Sequence, residues 1–254
     1  MTTDDVPTVS QPMQGLSVVI PIYNEYQNIK VLIPDIQRVF QENEIDGEMI
    51  VVDDQSNDGS WELLCEIKES NENLHIYRRN GVRSLSESWH LGFSKARKEV
   101  IVCVDGDLCH DPEEFPRMLN MLSSVDIVIG SRYLQGGMML NKSFFARIAS
   151  YYGRWGIRWA SGLACSDPSH SFRMFKSKVF ETISCELETH GNVYLVHFLV
   201  LARRENFTIG EVPIQYGQRL YGETKLNLFR EVTKYLLSMR RLYDGRKRPR
   251  RANR

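Results

Sequence analysis

Uninterrupted apolar runs alternate with amphipathic segments along the first half of the chain, and few folds accept that pattern. The runs are LSVVIPIYNE (16–25), GEMIVVDDQSNDGS (47–60), NLHIYRR (73–79), VIVCVD (100–105) and VDIVIGSRY (125–133). Between them, YQNIKVLIPDIQRVFQEN places Ile29, Leu32, Ile33, Ile36, Val39 and Phe40 on one helical face, and helices are expected near 61–70, 85–99 and 112–124. Strands that are apolar throughout, rather than at every second residue, have both faces covered. Strand–helix alternation at this spacing then predicts an α/β fold with a mostly parallel sheet and helices on both faces. Two prolines cut against the pattern: Pro21 is expected to break the first strand, and Pro34 to kink or shorten the first helix.

After Gly136 the alternation loosens. A helical stretch over 144–162, a possible strand SFRMF, a helix near 193–204 and a strand TIGEVPIQY are expected there. Residues 1–14 are polar and proline-containing and read as disordered; 15–225 read as one domain, and 226–254 as a basic amphipathic helix and tail. With 32 basic and 32 acidic residues the formal charge is zero, so no global attraction to nucleic acid is expected. The five cysteines are scattered without a CxxC pair, which argues against a zinc site or a disulfide framework and for a reducing cytoplasm. No apolar leader precedes the acidic N-terminus, and no run is long enough to span a bilayer.

Open parallel sheets bind ligands beyond the carboxyl ends of their strands. YNE, VDDQSNDG, VDGDLCH and GSRY all fall at such ends. In VDGDLCH, Asp105 and Asp107 flank a single glycine with no basic residue beside them. Two carboxylates this close repel unless a positive charge lies between them, and a hard divalent cation shared with a substrate phosphate meets that need. Gly106 is expected to leave room for a ligand against the backbone, and His110 to brace the motif. In VVDDQSNDGS, Asp58 reads as a turn and cap residue and Ser60 as a helix cap, while Asp54 is a candidate reader of a nucleobase N–H. In PIYNE, Tyr23 can stack on a base and Glu25 can accept from ribose or base; the competing reading is a helix start capped by Asn24.

The ordered set VVIPIYNE, IVVDDQSNDGS, VCVDGDLCHDP, IVIGSRY, SDPSHSFRMF and FTIGEVPIQYGQRLYGETK resembles the family 2 glycosyltransferases of GT-A fold. Within them it is most similar to the dolichol-phosphate mannose synthases and related polyprenyl-phosphate sugar transferases, from about residue 16 to 226. The resemblance implies a nucleotide pocket lined by Pro21, Tyr23, Glu25, Val52 and Asp54. It also implies a site for Mg²⁺ or Mn²⁺ on Asp105 and Asp107, with Gly106 between them, and Arg132, Arg219 and Lys225 on the diphosphate and the incoming phosphate. Asp107, Arg219 and Lys225 would then carry catalysis. Cys109, His170 and the pair Leu195 and His197 depart from the family's usual residues; a thiol is a poor partner for a hard cation, so Cys109 is not counted as a ligand.

The expected activity is inverting transfer of a mannose- or glucose-type sugar from a nucleoside-diphosphate sugar (GDP-mannose or a UDP-sugar) to a polyprenyl phosphate. A lipid phosphate is already anionic and needs no general base. A sugar-hydroxyl acceptor would need one, for which Asp167 is the nearby candidate, and a catalytically silent nucleotide-sugar binder is the third reading. A phosphatase reading, with Asp105 as nucleophile, leaves YNE and VDD without a role. The segment LNLFREVTKYLLSMRRLYDGRKRPRRANR carries ten basic residues against Glu231 and Asp244, which suits an anionic membrane surface or a membrane-anchoring subunit. The expected location is the cytoplasmic face of a membrane, peripherally bound.

Overall fold

The computed structural model describes residues 15–139, 155–159, 161–188 and 193–217. The expectations for 1–14, for most of 144–162, for Arg219 and Lys225 and for the basic C-terminal helix lie outside the described residues. Strands β1 (Leu16–Ile22), β2 (Gly47–Asp53), β3 (Leu74–Arg78), β4 (Val100–Cys103), β5 (Ile127–Ser131), β7 (Arg173–Lys176) and β8 (Ile209–Pro213) form one sheet in the order β3-β2-β1-β4-β7-β5-β8. A separate parallel ribbon pairs β6 (Met138–Met139) with β9 (Gln215–Tyr216). Every pairing in the large sheet is parallel except those of β7, which runs antiparallel to both β4 and β5.

Helices cover both faces, which is why the strands are apolar throughout. Along β1, Leu16, Val18 and Ile20 join a core with Ile29, Leu32, Ile33, Ile36, Val39 and Phe40 of α1 (Tyr26–Glu42) and with Phe115, Met118 and Leu122 of α4 (Phe115–Leu122). Val19 points the other way, into a core with Trp89 and Phe93 of α3 (Leu85–Lys95) and with the helices Ser177–Ile183 and Tyr194–Arg204. The helix α2 (Ser60–Glu69) adds Leu64 to the first core. The helical face expected for α1 is the buried face.

Both prolines prove compatible with their elements. β1 continues through Pro21 to Ile22. Val19 accepts from Val104 N–H on the β4 side and Ile22 from Asp54 N–H on the β2 side, so Pro21 faces β4. The β1–β4 register ends at Val19, and the missing N–H therefore costs no ladder bond. Pro34 sits on the exposed face of a helix that runs unbroken over 17 residues, where the carbonyl it releases is open to water.

Gly92 shows how closely α3 lies on the sheet: a Cβ there would overlap Val19 Cγ1 and stand 3.4 Å from Val52 Cγ2. Gly92→Ala should therefore lower stability by about 1–3 kcal/mol from overpacking, despite alanine's advantage of about 1 kcal/mol in a helix. A urea unfolding midpoint that is unchanged or raised would show that α3 has room to spare.

Candidate active site

Because β1, β2, β4 and β5 run in one direction, Ile22, Asp53, Cys103 and Ser131 bring their following loops to one rim of the sheet. The antiparallel β7 starts at that rim, with Arg173 opposite Cys103 and Ile129, so residues 166–172 enter from the same side.

The loops after β1 and β2 are tied together by side-chain to backbone bonds. Asn24, with φ 56°, accepts from Asn57 N–H at 2.9 Å through its side chain, and its own N–H donates to Ser56 Oγ at 2.8 Å. Asn24 is thus a loop bridge and does not cap α1. Ser60 is the first residue of α2 rather than its cap, which is Gly59 with φ 91°. Asp58 takes the expected turn role, accepting from Ser60 Oγ at 2.5 Å and from Tyr26 N–H at 3.1 Å at the start of α1. Glu25 receives Asn28 Nδ2 at 2.5 Å, and Arg83 lies 4.1 Å from the Tyr23 ring centroid.

Asp54 is buried and already engaged. It pairs with Arg79 and accepts from Ser84 N–H at 2.7 Å, at the N-cap of α3. Arg79, itself buried, also pairs with Glu87 in the first turn of α3. This Asp54–Arg79–Glu87 node, which the sequence motifs did not point to, fixes the β2 loop to the third helix. Pro21 and Val52 are buried at the ends of β1 and β2.

The acidic motif follows β4. Its glycine serves β1 rather than a ligand: a Cβ on Gly106 would come within 2.9 Å of Ile22 Cγ2 and 3.4 Å of Pro21 O. Asp107 accepts from Cys109 N–H at 3.1 Å across Leu108, whose φ is 63°. Asp105 N–H donates to His110 Nδ1 at 3.0 Å, and Asp105 Oδ2 accepts from Ser171 Oγ at 2.5 Å. His110 is fully buried, stacked on Phe172 at 4.7 Å between centroids, with His170 edge-on at 5.1 Å. Burial lowers the His110 pKa, against the opposing pull of Asp105 and Asp107, and lowers that of His170 further. Tyr216 packs edge-on against both histidines; burial, reinforced by Asp107 and Asp105, pushes its phenol pKa up and keeps it neutral. Cys109 is buried, and its carbonyl accepts from Gly217 N–H at 3.1 Å.

Arg132, one residue past β5, forms a two-pronged pair with Asp167: Nε to Oδ2 at 2.8 Å and Nη2 to Oδ1 at 3.1 Å. Burial works against the Arg132 charge, but the Asp167 hydrogen bond and charge outweigh it and raise the guanidinium pKa. Asp167 is buried and gives both carboxylate oxygens to that guanidinium. Arg173 is wholly buried and donates to three carbonyls, those of Leu195 (2.6 Å), Pro168 (3.4 Å) and His170. Leu195 therefore enters through its backbone, and His197 lies two residues along the same helix.

Sequence reasoning brought Asp105, Asp107, Arg132 and His110 to this rim but missed Ser171, Tyr216 and Arg79. Ser171 and Tyr216 are 66 and 111 residues from Asp105 in sequence, and nothing in SDPSHSFRMF or FTIGEVPIQYGQRLYGETK marks them as neighbours of the acidic pair. Among the described residues, no group of three or more His, Cys, Asp or Glu side chains is arranged to hold a metal ion. Mg²⁺ and Mn²⁺ sites commonly need only one or two carboxylates, the rest of the shell coming from substrate phosphates and water, so an all-oxygen pair with Asp105 partly exposed and Asp107 buried beside it fits such an ion.

The family model for glycosyl transferase family 2 matches residues 17–184. A dolichol-phosphate mannosyltransferase of Saccharomyces cerevisiae is 32% identical over 236 residues, 89% of this chain and 86% of the yeast protein. One of Pyrococcus furiosus is 33% identical over 216 residues, 83% of this chain; the match spans only 59% of the archaeal protein. Among solved structures, a mannosyltransferase of Pyrobaculum calidifontis in complex with GDP-Man and Mn²⁺ gives a TM-score of 0.65 at 16% identity, covering 95% of this chain and 68% of that one. Glucosyl-3-phosphoglycerate synthase of Mycobacterium tuberculosis, in complex with Mn²⁺, UDP and phosphoglyceric acid, gives 0.66 at 16% identity, covering 94% and 80%. The sheet, its helices on two faces and these likenesses are those of the GT-A fold, and the chain belongs to glycosyl transferase family 2.

Proposed function

We propose that the protein transfers a hexose, mannose in the first instance, from a nucleoside-diphosphate sugar to a polyprenyl phosphate, with inversion at the anomeric carbon. The observation that carries this reading is that the chain leading to the basic motif reaches the acidic loop. Gly217 N–H is bonded to Cys109 O inside the acidic loop. Arg219 follows two residues later in the sequence. A basic residue so soon after that contact suits a phosphate acceptor beside a diphosphate donor. The commitment of Asp167 to Arg132 supports an acceptor that needs no base. The likeness to dolichol-phosphate mannosyltransferases points the same way.

Asp105 and Asp107 are the residues that would hold Mg²⁺ or Mn²⁺, which would supply Lewis-acid neutralisation of the departing diphosphate. Pro21 and Val52 form the floor of the nucleotide pocket, with Gly106 bringing the acidic loop close to β1. Tyr23, with Arg83 over its ring, lies beside the base; Glu25 accepts from ribose or base, and Asp54 uses lone pairs beyond those given to Arg79 and Ser84 for a base N–H. Arg132, held charged and oriented by Asp167, grips diphosphate oxygens, and Arg219 and Lys225 receive the acceptor phosphate. No described helix is long and apolar enough to cross a membrane. The basic segment 226–254 is assigned to the cytoplasmic membrane face or to an anchoring subunit there.

Radiolabelled GDP-mannose, UDP-glucose and UDP-N-acetylglucosamine, each offered with polyprenyl phosphate and with a sugar-hydroxyl acceptor, test this reading. Label in an acid-labile lipid from one donor is the expected result; label only on the hydroxyl acceptor, or none, overturns it.

Asp107→Ala should abolish transfer while costing no more than about 1–3 kcal/mol of stability, the price of stranding the Cys109 N–H. Retained, metal-independent transfer would remove the acidic pair from the chemistry. Arg219→Ala should cut turnover by an amount equivalent to about 2–4 kcal/mol, with nucleotide binding little changed and only partial recovery in Arg219→Lys. Near-normal turnover of Arg219→Ala would make the loop ordinary surface. For Asp167→Asn, the KM for the nucleotide sugar should rise, because the residue orients Arg132 on the diphosphate. A fall in kcat with that KM unchanged would reinstate a carboxylate base.

A further inference from the structure

Ser171 lies outside the four motifs at the strand ends, yet its side chain grips the first carboxylate of the acidic pair. Its Oγ donates to Asp105 Oδ2 at 2.5 Å. The same oxygen lies 3.6 Å from His110 Nε2, while Asp105 N–H donates to His110 Nδ1 at 3.0 Å. An imidazole that accepts at Nδ1 carries its proton on Nε2 when neutral, so the Nε2–H faces the carboxylate. Phe172, next in sequence to Ser171, stacks on that imidazole at 16° between planes. Two successive residues at the entry to β7 thus hold both Asp105 and the histidine that faces it.

Asp105 needs such a hold. Its side chain is about a quarter exposed, and Asp107, two residues on, carries a like charge that does not attract it. A carboxylate free to swing must be recruited and ordered each time a cation and a diphosphate arrive. One already hydrogen-bonded meets them in place.

We propose that Ser171 is a positioning residue for the acidic pair: its hydroxyl, with His110 behind it, holds the Asp105 carboxylate in the orientation that receives a divalent cation with the nucleotide diphosphate. The inference rests on the proposed function, because it takes Asp105 and Asp107 as the residues that hold the cation. Ser171 acts through Asp105 and touches no reacting atom.

The test uses the full chain as wild type, Ser171→Ala, Ser171→Thr and Asp107→Ala, with Mn²⁺ affinity read from the electron paramagnetic resonance of free Mn²⁺, in the presence of GDP and of UDP in turn. Partners that hydrogen-bond a metal's ligands typically contribute 10–100-fold in affinity. Ser171→Ala should weaken Mn²⁺ binding by about that factor, Ser171→Thr should restore it, and the melting temperature of the metal-free protein should hold in both. In turnover assays the Mn²⁺ concentration for half-maximal rate should rise in Ser171→Ala, while kcat at saturating Mn²⁺ and the KM for polyprenyl phosphate stay near wild type. Unchanged Mn²⁺ affinity in Ser171→Ala, or a loss that tracks metal-free stability and is not rescued by threonine, overturns the positioning role alone. Wild type binding Mn²⁺ no better than Asp107→Ala overturns the metal reading of the site, and this inference with it.

Discussion

When β1 pairs in parallel with β2 on one side and β4 on the other, three segments must leave the sheet along a single edge. Everything polar in this protein's chemistry follows from that constraint. The strand interiors are committed to two apolar layers, so hydrophilic residues can gather only where the strands stop. The sheet ends at Ile22, Asp53 and Cys103, and the next residues are Tyr23, Asp54 and, one position past Val104, Asp105. Proximity that would cost loop entropy in another topology comes with the pairing.

Crowding carboxylates on one edge creates the opposite problem, and the rim resolves it case by case. Asp54 is matched by Arg79, Asp53 by Arg78, and Asp167 by Arg132. These pairs are partly or wholly buried, where losing one partner costs far more than the intact pair gains over apolar residues. The acidic pair is also held by neutral groups. Asp105 is steadied by a hydroxyl and faced by a neutral imidazole, and Asp107 accepts a backbone N–H. Neutral donors orient a carboxylate without cancelling its charge, which suits the role proposed for the pair. The guanidinium of Arg132, paired with Asp167, lies over Tyr216 at 5.3 Å, and Tyr216 packs in turn on His110, so the basic and acidic loops share one neighbour.

The layout of the sheet was legible in the sequence because burial on both faces writes long apolar runs, and α1 was legible residue by residue because its period is local. The acidic motif was legible because like charges in sequence are like charges in space. Where reading failed, the deciding contact was long-range or directional. Pro21 looked like a breaker, and only the register shows that its missing N–H faces the side where pairing has ended. Gly106 looked like space for a ligand, and the space is filled by Ile22 of the neighbouring strand. Ser60 looked like a cap until Gly59 took that place in a left-handed turn. The antiparallel direction of β7 leaves no trace in SFRMF itself, and Ser171 and Tyr216 gained their places from the strands that carry them.

The position of β7 has a consequence for the order in which the molecule is built. β5 touches only β7 and β8 within the sheet, and both lie downstream of it. As the chain emerges from a ribosome, β1 through β4 can assemble from contacts already available. β5 appears next and finds no strand to join, since β4 receives it only through β7. It must wait, apolar and unpaired, through the more than forty residues that separate Ser131 from Arg173. Such an interval exposes sticky surface to chaperones and to neighbouring chains alike. The half that carries Tyr23, Asp54, Asp105 and Asp107 is therefore the early half. Ser171 and Tyr216 reach Asp105 and His110 only when the late half zips onto the seam, so the rim is the last part of the sheet to be completed.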